Sequence, residues 1–173
     1  MRILGLAGRK QSTFAHLEEL LKILDVGATT VTLQRYRFWE GAPDHPNPDV
    51  VPEAQTAAES GADLVIAKSI GTLVTMIAHA QFGFRPERAV FIGTPLRRYA
   101  AEDRLGALKK FTGEVPTLFI QQTDDFNGGF AALASALAGN ARCTLAEVPG
   151  NDHMYTDAVR LKQCIENWYG RAA

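Results

Sequence analysis

Ser69 stands in the run Ala67-Lys68-Ser69-Ile70-Gly71-Thr72, between an apolar stretch of strand type and an apolar stretch of helix type. A serine nucleophile on a sharp strand-to-helix turn needs small residues two before and two after it, because larger side chains would collide where strand and helix close around the strained backbone. Ala67 and Gly71 meet that need. Such a turn lifts the Ser69 hydroxyl above the sheet and puts the Ile70 N–H at a helix N-terminus, where a developing oxyanion is stabilised. Serine at this place could equally cap its helix, so the other strand ends must decide. Gln121-Gln122-Thr123-Asp124-Asp125 offers a carboxylate from Asp124 or Asp125, and Val148-Pro149-Gly150-Asn151-Asp152-His153 offers an imidazole. In the order Ser, Asp, His these groups have the chemistry of acyl transfer: the imidazole takes the serine proton and the carboxylate orients the imidazole. Each acid could instead form a turn or cap a helix, and His153 and Asp152 could cap or flank the last helix. All three falling on one edge by coincidence is rarer than any one.

Six strand-like runs, near 2–7, 30–36, 63–68, 88–93, 116–122 and 142–148, alternate with helical patterns near 12–25, 52–60, 70–81, 98–110, 129–138 and 154–169. Phe14, Leu17, Leu20, Leu21 and Leu24 form one apolar stripe; Ile70, Leu73, Val74 and Ile77 form a second; Leu161, Ile165 and Trp168 form a third. Strict alternation implies βαβ units and a mostly parallel sheet covered by helices on both faces, a three-layer α/β/α sandwich. Leu64-Val65-Ile66-Ala67 and Ala89-Val90-Phe91-Ile92 are continuous apolar runs of the kind central strands need, whereas the second and sixth runs carry frequent polar residues and suit edges. The order 2-1-3-4-5-6 satisfies both. In such a sheet ligands bind at the carboxyl ends of the strands, where the serine, acid and histidine runs all lie.

These motifs resemble those of the α/β-hydrolase superfamily, and most nearly its compact, cap-free dienelactone-hydrolase-like and serine-hydrolase-like members. Ala67–Thr72 resembles the nucleophile elbow, Phe119–Asp125 the acid loop, and Pro149–His153 the histidine loop. The likeness covers the chain from about residue 62 onward; the first 60 residues match in layout alone. It implies one minimal α/β-hydrolase domain over residues 1–173 without a cap, a catalytic set of Ser69, Asp125 and His153, with Asp124 as the other choice of acid, and an oxyanion site of the Ile70 and Arg9 N–H groups, with Lys10 as the other choice of second donor. The chain departs from the pattern at four places. Ala67 replaces the elbow's usual first glycine, and Gln122 replaces a glycine that often precedes the acid, which implies a different path for the acid loop. With the first strand expected from residue 2, the family's two leading antiparallel strands are not expected, and Ala7-Gly8-Arg9 stands where many members have a His-Gly turn.

The remaining candidates carry less chemistry. Gly5–Ser12 glances at a phosphate loop, but Lys10 is not followed by Ser or Thr and the glycine spacing is wrong. Lys68 adjoins Ser69, but strand neighbours point to opposite faces, so it is expected to be structural or exposed. His16 and His79 fall within helices and suit surface or packing roles. Arg97, Arg98 and Tyr99 follow the fourth strand, while Phe38, Trp39 and His45 follow the second; both loops belong on the catalytic edge. Trp39, Arg97 and Arg98 are candidate substrate contacts, the arginines toward an anion, with solvated arginines and a core-packed aromatic as the plain alternative. The Pro-rich segment 41–48 is expected to be a surface loop.

Composition bounds the rest. A chain of 173 residues, 46% hydrophobic and 21% charged, is one ordinary globular domain, able to bury roughly 70% of its unfolded surface. Eighteen basic against 19 acidic residues give a formal charge of −1, which argues against a nucleic-acid-binding face. No apolar run approaches a membrane span. Residues 1–8 lack the order of a signal peptide, and two cysteines, Cys143 and Cys164, without metal-ligand spacing suit a reducing cytoplasm. The expected protein is a cytoplasmic serine hydrolase that cleaves a small-molecule carboxylic ester or thioester through an acyl-enzyme, with no metal or organic cofactor. The oligomeric state is left open. A non-catalytic binding or scaffold protein on the same fold is the alternative, favoured by Ala67 and Gln122. A flavodoxin-like or receiver-like domain would want an acidic cluster or phosphate loop after the first strand, and Leu6-Ala7-Gly8-Arg9 supplies neither.

Overall fold

Strand and helix alternate as β1 (Arg2–Leu6), α1 (Ser12–Ile23), β2 (Thr30–Gln34), α2 (Phe38–Gly41), α3 (Val51–Glu59), β3 (Leu64–Lys68), α4 (Ile70–Phe82), β4 (Arg88–Ile92), α5 (Leu96–Ala101), α6 (Leu105–Glu114), β5 (Thr117–Gln122), α7 (Phe130–Ala136), β6 (Cys143–Val148) and α8 (Ala158–Arg171). This is a computed structural model, and it describes residues 1–41 and 45–171. Of the Pro-rich segment expected to be a loop, residues 42–44 lie outside the described residues; 45–50 are irregular.

The sheet has the order β2-β1-β3-β4-β5-β6, and every pairing is parallel. From β1 the chain first moves to β2 on one side, then crosses back to β3 and continues the other way. Right-handed crossovers in opposite directions land on opposite faces. Accordingly α1 packs with α8 in one layer, while α4 packs with α3 and α6 in the other. β3 and β5 are buried at every position, as strands covered on both faces must be. Edge strands β2 and β6 keep exposed residues, as their polar content requires. Phe91 ties the centre together, with its ring 5.4 Å from both Phe111 and Phe119.

Three helices differ from the sequence expectation, the first being the short α2 (Phe38–Gly41), which lies where no helix was expected. The run 98–110 is two helices, not one, because Asp103 adopts φ 53, a left-handed conformation that ends α5. Glu102 holds this corner by ion pairs of 2.7 Å to both Arg98 and Arg104. The last helix starts at Ala158 rather than near 154, since His153 and Tyr155 have φ 61 and φ 51 and cannot continue a right-handed helix. Residues 149–157 are thereby left as a shaped loop above the sheet. Among the described residues no helix is long and apolar enough to cross a membrane.

Candidate active site

Ser69 joins β3 to α4 at φ 50 and ψ −115, a conformation that costs a non-glycine residue strain and persists only where its surroundings fix it. Its N–H donates to the Ile92 carbonyl at 2.9 Å, and its carbonyl accepts from the Thr72 N–H and hydroxyl at 3.0 and 2.7 Å. The helix is pressed onto the end of β1: a Cβ on Gly71 would sit 2.3 Å from the Leu6 carbonyl oxygen. Ala67 on the other side is fully buried. The Ser69 side chain makes no capping bond to α4. Its Oγ lies 2.8 Å from His153 Nε2, and His153 Nδ1 lies 2.7 Å from Asp125 Oδ2.

An ionised carboxylate only accepts hydrogen bonds, so Asp125 places the imidazole proton on Nδ1 and leaves the Nε2 lone pair facing the serine. Asp125 also accepts from the Tyr155 hydroxyl at 2.7 Å and the Asn127 N–H at 2.8 Å. Burial alone would raise the Asp125 pKa, but hydrogen bonds from His153, Tyr155 and Asn127 outweigh it and hold the carboxyl below its usual range. Asp124, the other sequence candidate, is exposed, with its backbone N–H bonded to the Gly150 carbonyl at 3.1 Å.

Residues that sequence reasoning did not select fix this geometry. Gln122 Oε1 accepts the His153 N–H at 2.9 Å, while its Nε2 donates to Asp152 Oδ1 at 2.9 Å. The Tyr155 hydroxyl accepts the Gln122 N–H at 2.8 Å. Burial first, and then the Asp125 charge, push the Tyr155 phenol far above its ordinary value, so it stays a neutral donor. Gln121 Oε1 accepts the Thr94 N–H at 2.9 Å and its Nε2 donates to the Gly128 carbonyl, binding the β4 and acid loops together. The available signal was two adjacent amides closing an otherwise apolar buried strand, since buried polar groups require partners.

Behind the serine, the Ile70 N–H opens α4 and has no acceptor within that helix. Opposite it runs the loop bearing Arg9 and Lys10. Tyr36 donates to the Ala7 carbonyl at 2.8 Å and the Trp39 indole to the Arg9 carbonyl at 2.6 Å. Trp39 is thus not a substrate-facing wall, as its loop position suggested. It is buried with its ring 4.8 Å from Tyr36 and 5.9 Å from Phe14, and it braces the Arg9 loop from beneath. Tyr99 is likewise buried, bonded to the Thr72 hydroxyl at 3.0 Å. Arg97 and Arg98 do line the cavity over Ser69 and His153, which measures about 700 Å³; Arg98 is already paired with Glu102.

Of the two expectations for Lys68, structural or exposed, exposure does not hold. Strand alternation fails at the elbow because Ser69 has left the strand conformation, so both neighbours reach the same cavity. Lys68 is only 3% exposed. Burial pulls its ammonium down to about 8, against the opposing attraction of Asp152 and Asp125. His79 is a packing residue, edge-on to Phe111 and 3.0 Å from Glu114. Burial raises the thiol pKa of Cys143 and of Cys164, the opposite of activation.

No family model and no curated protein matches this sequence. Solved structures do match across almost the whole chain. An α/β-hydrolase enzyme from the metagenome of lagoon sediments at Mar Chica, Morocco, is 13% identical with a TM-score of 0.61, covering 99% of this chain and 91% of that one. A pyrethroid hydrolase from Sphingobium faniae is 12% identical with a TM-score of 0.65, covering 98% and 96%. Est816, an N-acyl homoserine lactone degrading enzyme, is 12% identical with a TM-score of 0.66, covering 97% and 93%. The chain has the α/β-hydrolase fold.

Proposed function

We propose that this α/β-hydrolase-fold chain is a serine hydrolase acting on a carboxylic ester or thioester. The observation that carries the proposal is the unbroken relay from Ser69 Oγ through both His153 nitrogens to Asp125, at 2.8 and 2.7 Å. The fold by itself hosts many functions; the site is what argues for this one. Hydrolytic neighbours such as the pyrethroid hydrolase agree with the reaction class.

In the proposed reaction His153 Nε2 takes the Ser69 proton as Oγ bonds to the acyl carbon. Asp125 steadies the imidazolium without taking its proton. The carbonyl oxygen turns negative against the Ile70 N–H and the Arg9 N–H; losing one such donor costs about 3–4 kcal/mol of transition-state stabilisation. His153 returns the proton to the departing alcohol or thiol, leaving an acyl-Ser69. Water, deprotonated by His153, then cleaves that ester and releases the acid. Only α5 and α6 lie between β4 and β5, and the cavity is lined by α5 on one side and the Arg9 loop on another.

The test is incubation with a fluorophosphonate, intact-mass analysis and peptide mapping. One adduct on Ser69, absent in His153→Ala, is expected. A folded protein that takes no adduct would overturn the proposal in favour of a binding protein, and an adduct elsewhere would reassign the nucleophile.

A further inference from the structure

Lys68 is the last residue of β3, is 3% exposed as a whole residue, and still borders the cavity over Ser69. Among the described residues its ammonium has neither a hydrogen-bond nor an ion-pair partner. The charged groups around it are otherwise engaged. Asp152 accepts from Gln122 Nε2 and from the Met154 N–H; Asp125 accepts from His153, Tyr155 and Asn127. Both acids attract Lys68 through space without reaching it. Arg98 and Glu102 satisfy each other, and the Arg9 guanidinium donates to the His45 carbonyl. The one nearly buried cation beside the nucleophile is therefore left to a partner that the protein's described residues do not provide.

The Lys68 ammonium is not sealed off but keeps a small opening to solvent, and a cation stripped of most of its hydration gains from a negatively charged ligand group that reaches it there. We infer that Lys68 selects an anionic substrate: an ester or thioester carrying a carboxylate close to the scissile carbonyl. This rests on the serine-hydrolase proposal and narrows its substrate class. The Lys68 Cα is one peptide unit, about 3.8 Å, from that of Ser69, and the lysine side chain adds its own reach, so the carboxylate lies a side chain's length from the acyl carbon on either the acyl or the alcohol side. Arg97, exposed on the same cavity, adds positive potential at the mouth. The ligand carboxylate accepts from the Lys68 ammonium and takes no part in bond making.

Two substrate pairs separate the two sides. Mono-4-nitrophenyl adipate against its methyl ester tests an anion on the acyl side; 4-butyryloxybenzoate against 4-butyryloxybenzamide tests one on the leaving side. For the matching pair, wild-type kcat/KM is expected to favour the anion by about tenfold or more, the advantage of one charge-assisted hydrogen bond. That ratio should fall to near unity in Lys68→Met and Lys68→Gln. Equal rates within both pairs, or a preference that survives both substitutions, would overturn the inference. A second arm needs no hydrolysis: monomethyl adipate and dimethyl adipate are titrated into Ser69→Ala and followed by NMR. Tighter binding of the monoanion that disappears in Ser69→Ala/Lys68→Met supports the inference, and no such difference overturns it. Fluorophosphonate labelling of the wild type reports separately on the serine, so failure of the hydrolase proposal and failure of the Lys68 inference give different results.

Discussion

Gln122 Oε1 accepts the backbone N–H of His153 at 2.9 Å, across 31 residues of sequence. With Nε2 on Asp152, the amide spans the turn in which the His153 backbone takes φ 61. A Cβ on Gly150 would come within 2.5 Å of Gln122 Nε2, so that glycine makes room for the brace. Gln122→Ala leaves the His153 N–H unanswered and frees the loop. Since a displacement of about 1 Å can cost about 100-fold, kcat/KM toward a short-chain aryl ester should fall about 10- to 100-fold while circular dichroism is retained. An unchanged rate would show that the loop holds its shape without the amide.

The bracing of the Arg9 loop makes a different prediction. Trp39 reaches the site only through its indole N–H on the Arg9 carbonyl, 2.6 Å away. Trp39→Phe keeps most of the ring packing and deletes that donor. One neutral hydrogen bond corresponds to about a three- to tenfold change. It should appear in kcat, with KM little altered, if the Arg9 N–H serves the developing oxyanion as proposed. Equal changes in KM and none in kcat would point to a substrate-contact role instead.

Why some of this was legible in sequence and some was not follows from how local each cause is. The strand order could be read because β3 and β4 are unbroken apolar runs while Thr30–Gln34 and Cys143–Val148 interleave polar residues. Ser69, Asp125 and His153 could be nominated because each follows a strand on the same edge of the sheet. The break at Asp103 was hidden, since Glu102 fixes it by gripping Arg98 and Arg104 at once, a geometry with no periodic signature. Gln122 looked like a mere departure from glycine because its partners lie in a loop about thirty residues away. Lys68 was misplaced by a sound rule applied one residue too far: alternation stops where Ser69 turns to positive φ.

Two glycines of similar helical setting should respond oppositely to alanine. At Gly71 a Cβ meets the Leu6 carbonyl oxygen at 2.3 Å, a backbone atom of β1 that cannot swing aside. Gly71→Ala should therefore cost at least about 1–3 kcal/mol and disturb the elbow. At Gly106, inside α6, a Cβ meets nothing within 4 Å. There alanine should stabilise by about 0.4–1 kcal/mol, through the entropy of the unfolded chain. Urea unfolding of both variants decides; a neutral Gly71→Ala would mean that α4 can slide away from β1.

Tyr155 should govern acid sensitivity. Asp125 has a folded-state pKa below its ordinary 3.8, so the charged carboxylate contributes stability above that value and loses it as pH falls through the folded one. Tyr155→Phe removes a 2.7 Å donor to the carboxylate and raises its pKa. Melting temperature should then begin to drop at a higher pH than in the wild type. Coincident acid limbs of melting temperature in the two proteins would leave the His153 and Asn127 contacts as sufficient on their own.

Lys68 should set a conflict between stability and substrate choice. Its folded pKa of about 8 lies below the ordinary 10.5, so between these values the unfolded chain binds more protons and stability rises with pH. Below about pH 8 the whole cost of shielding the ammonium is present, offset in part by Asp152 and Asp125. Lys68→Met removes that cost, and at 1.36 kcal/mol per pKa unit the gain at neutral pH is of the order of 3 kcal/mol. The gain should shrink as pH climbs from about 8 through 10.5, above which the wild-type lysine is neutral in both states. Denaturation at several pH values reads this out directly. A stabilised variant that has also lost its preference for the anionic ester would tie the energetic cost of this residue to its function, whereas a destabilised one would mean that the lysine stem is needed to fill the space beneath the elbow.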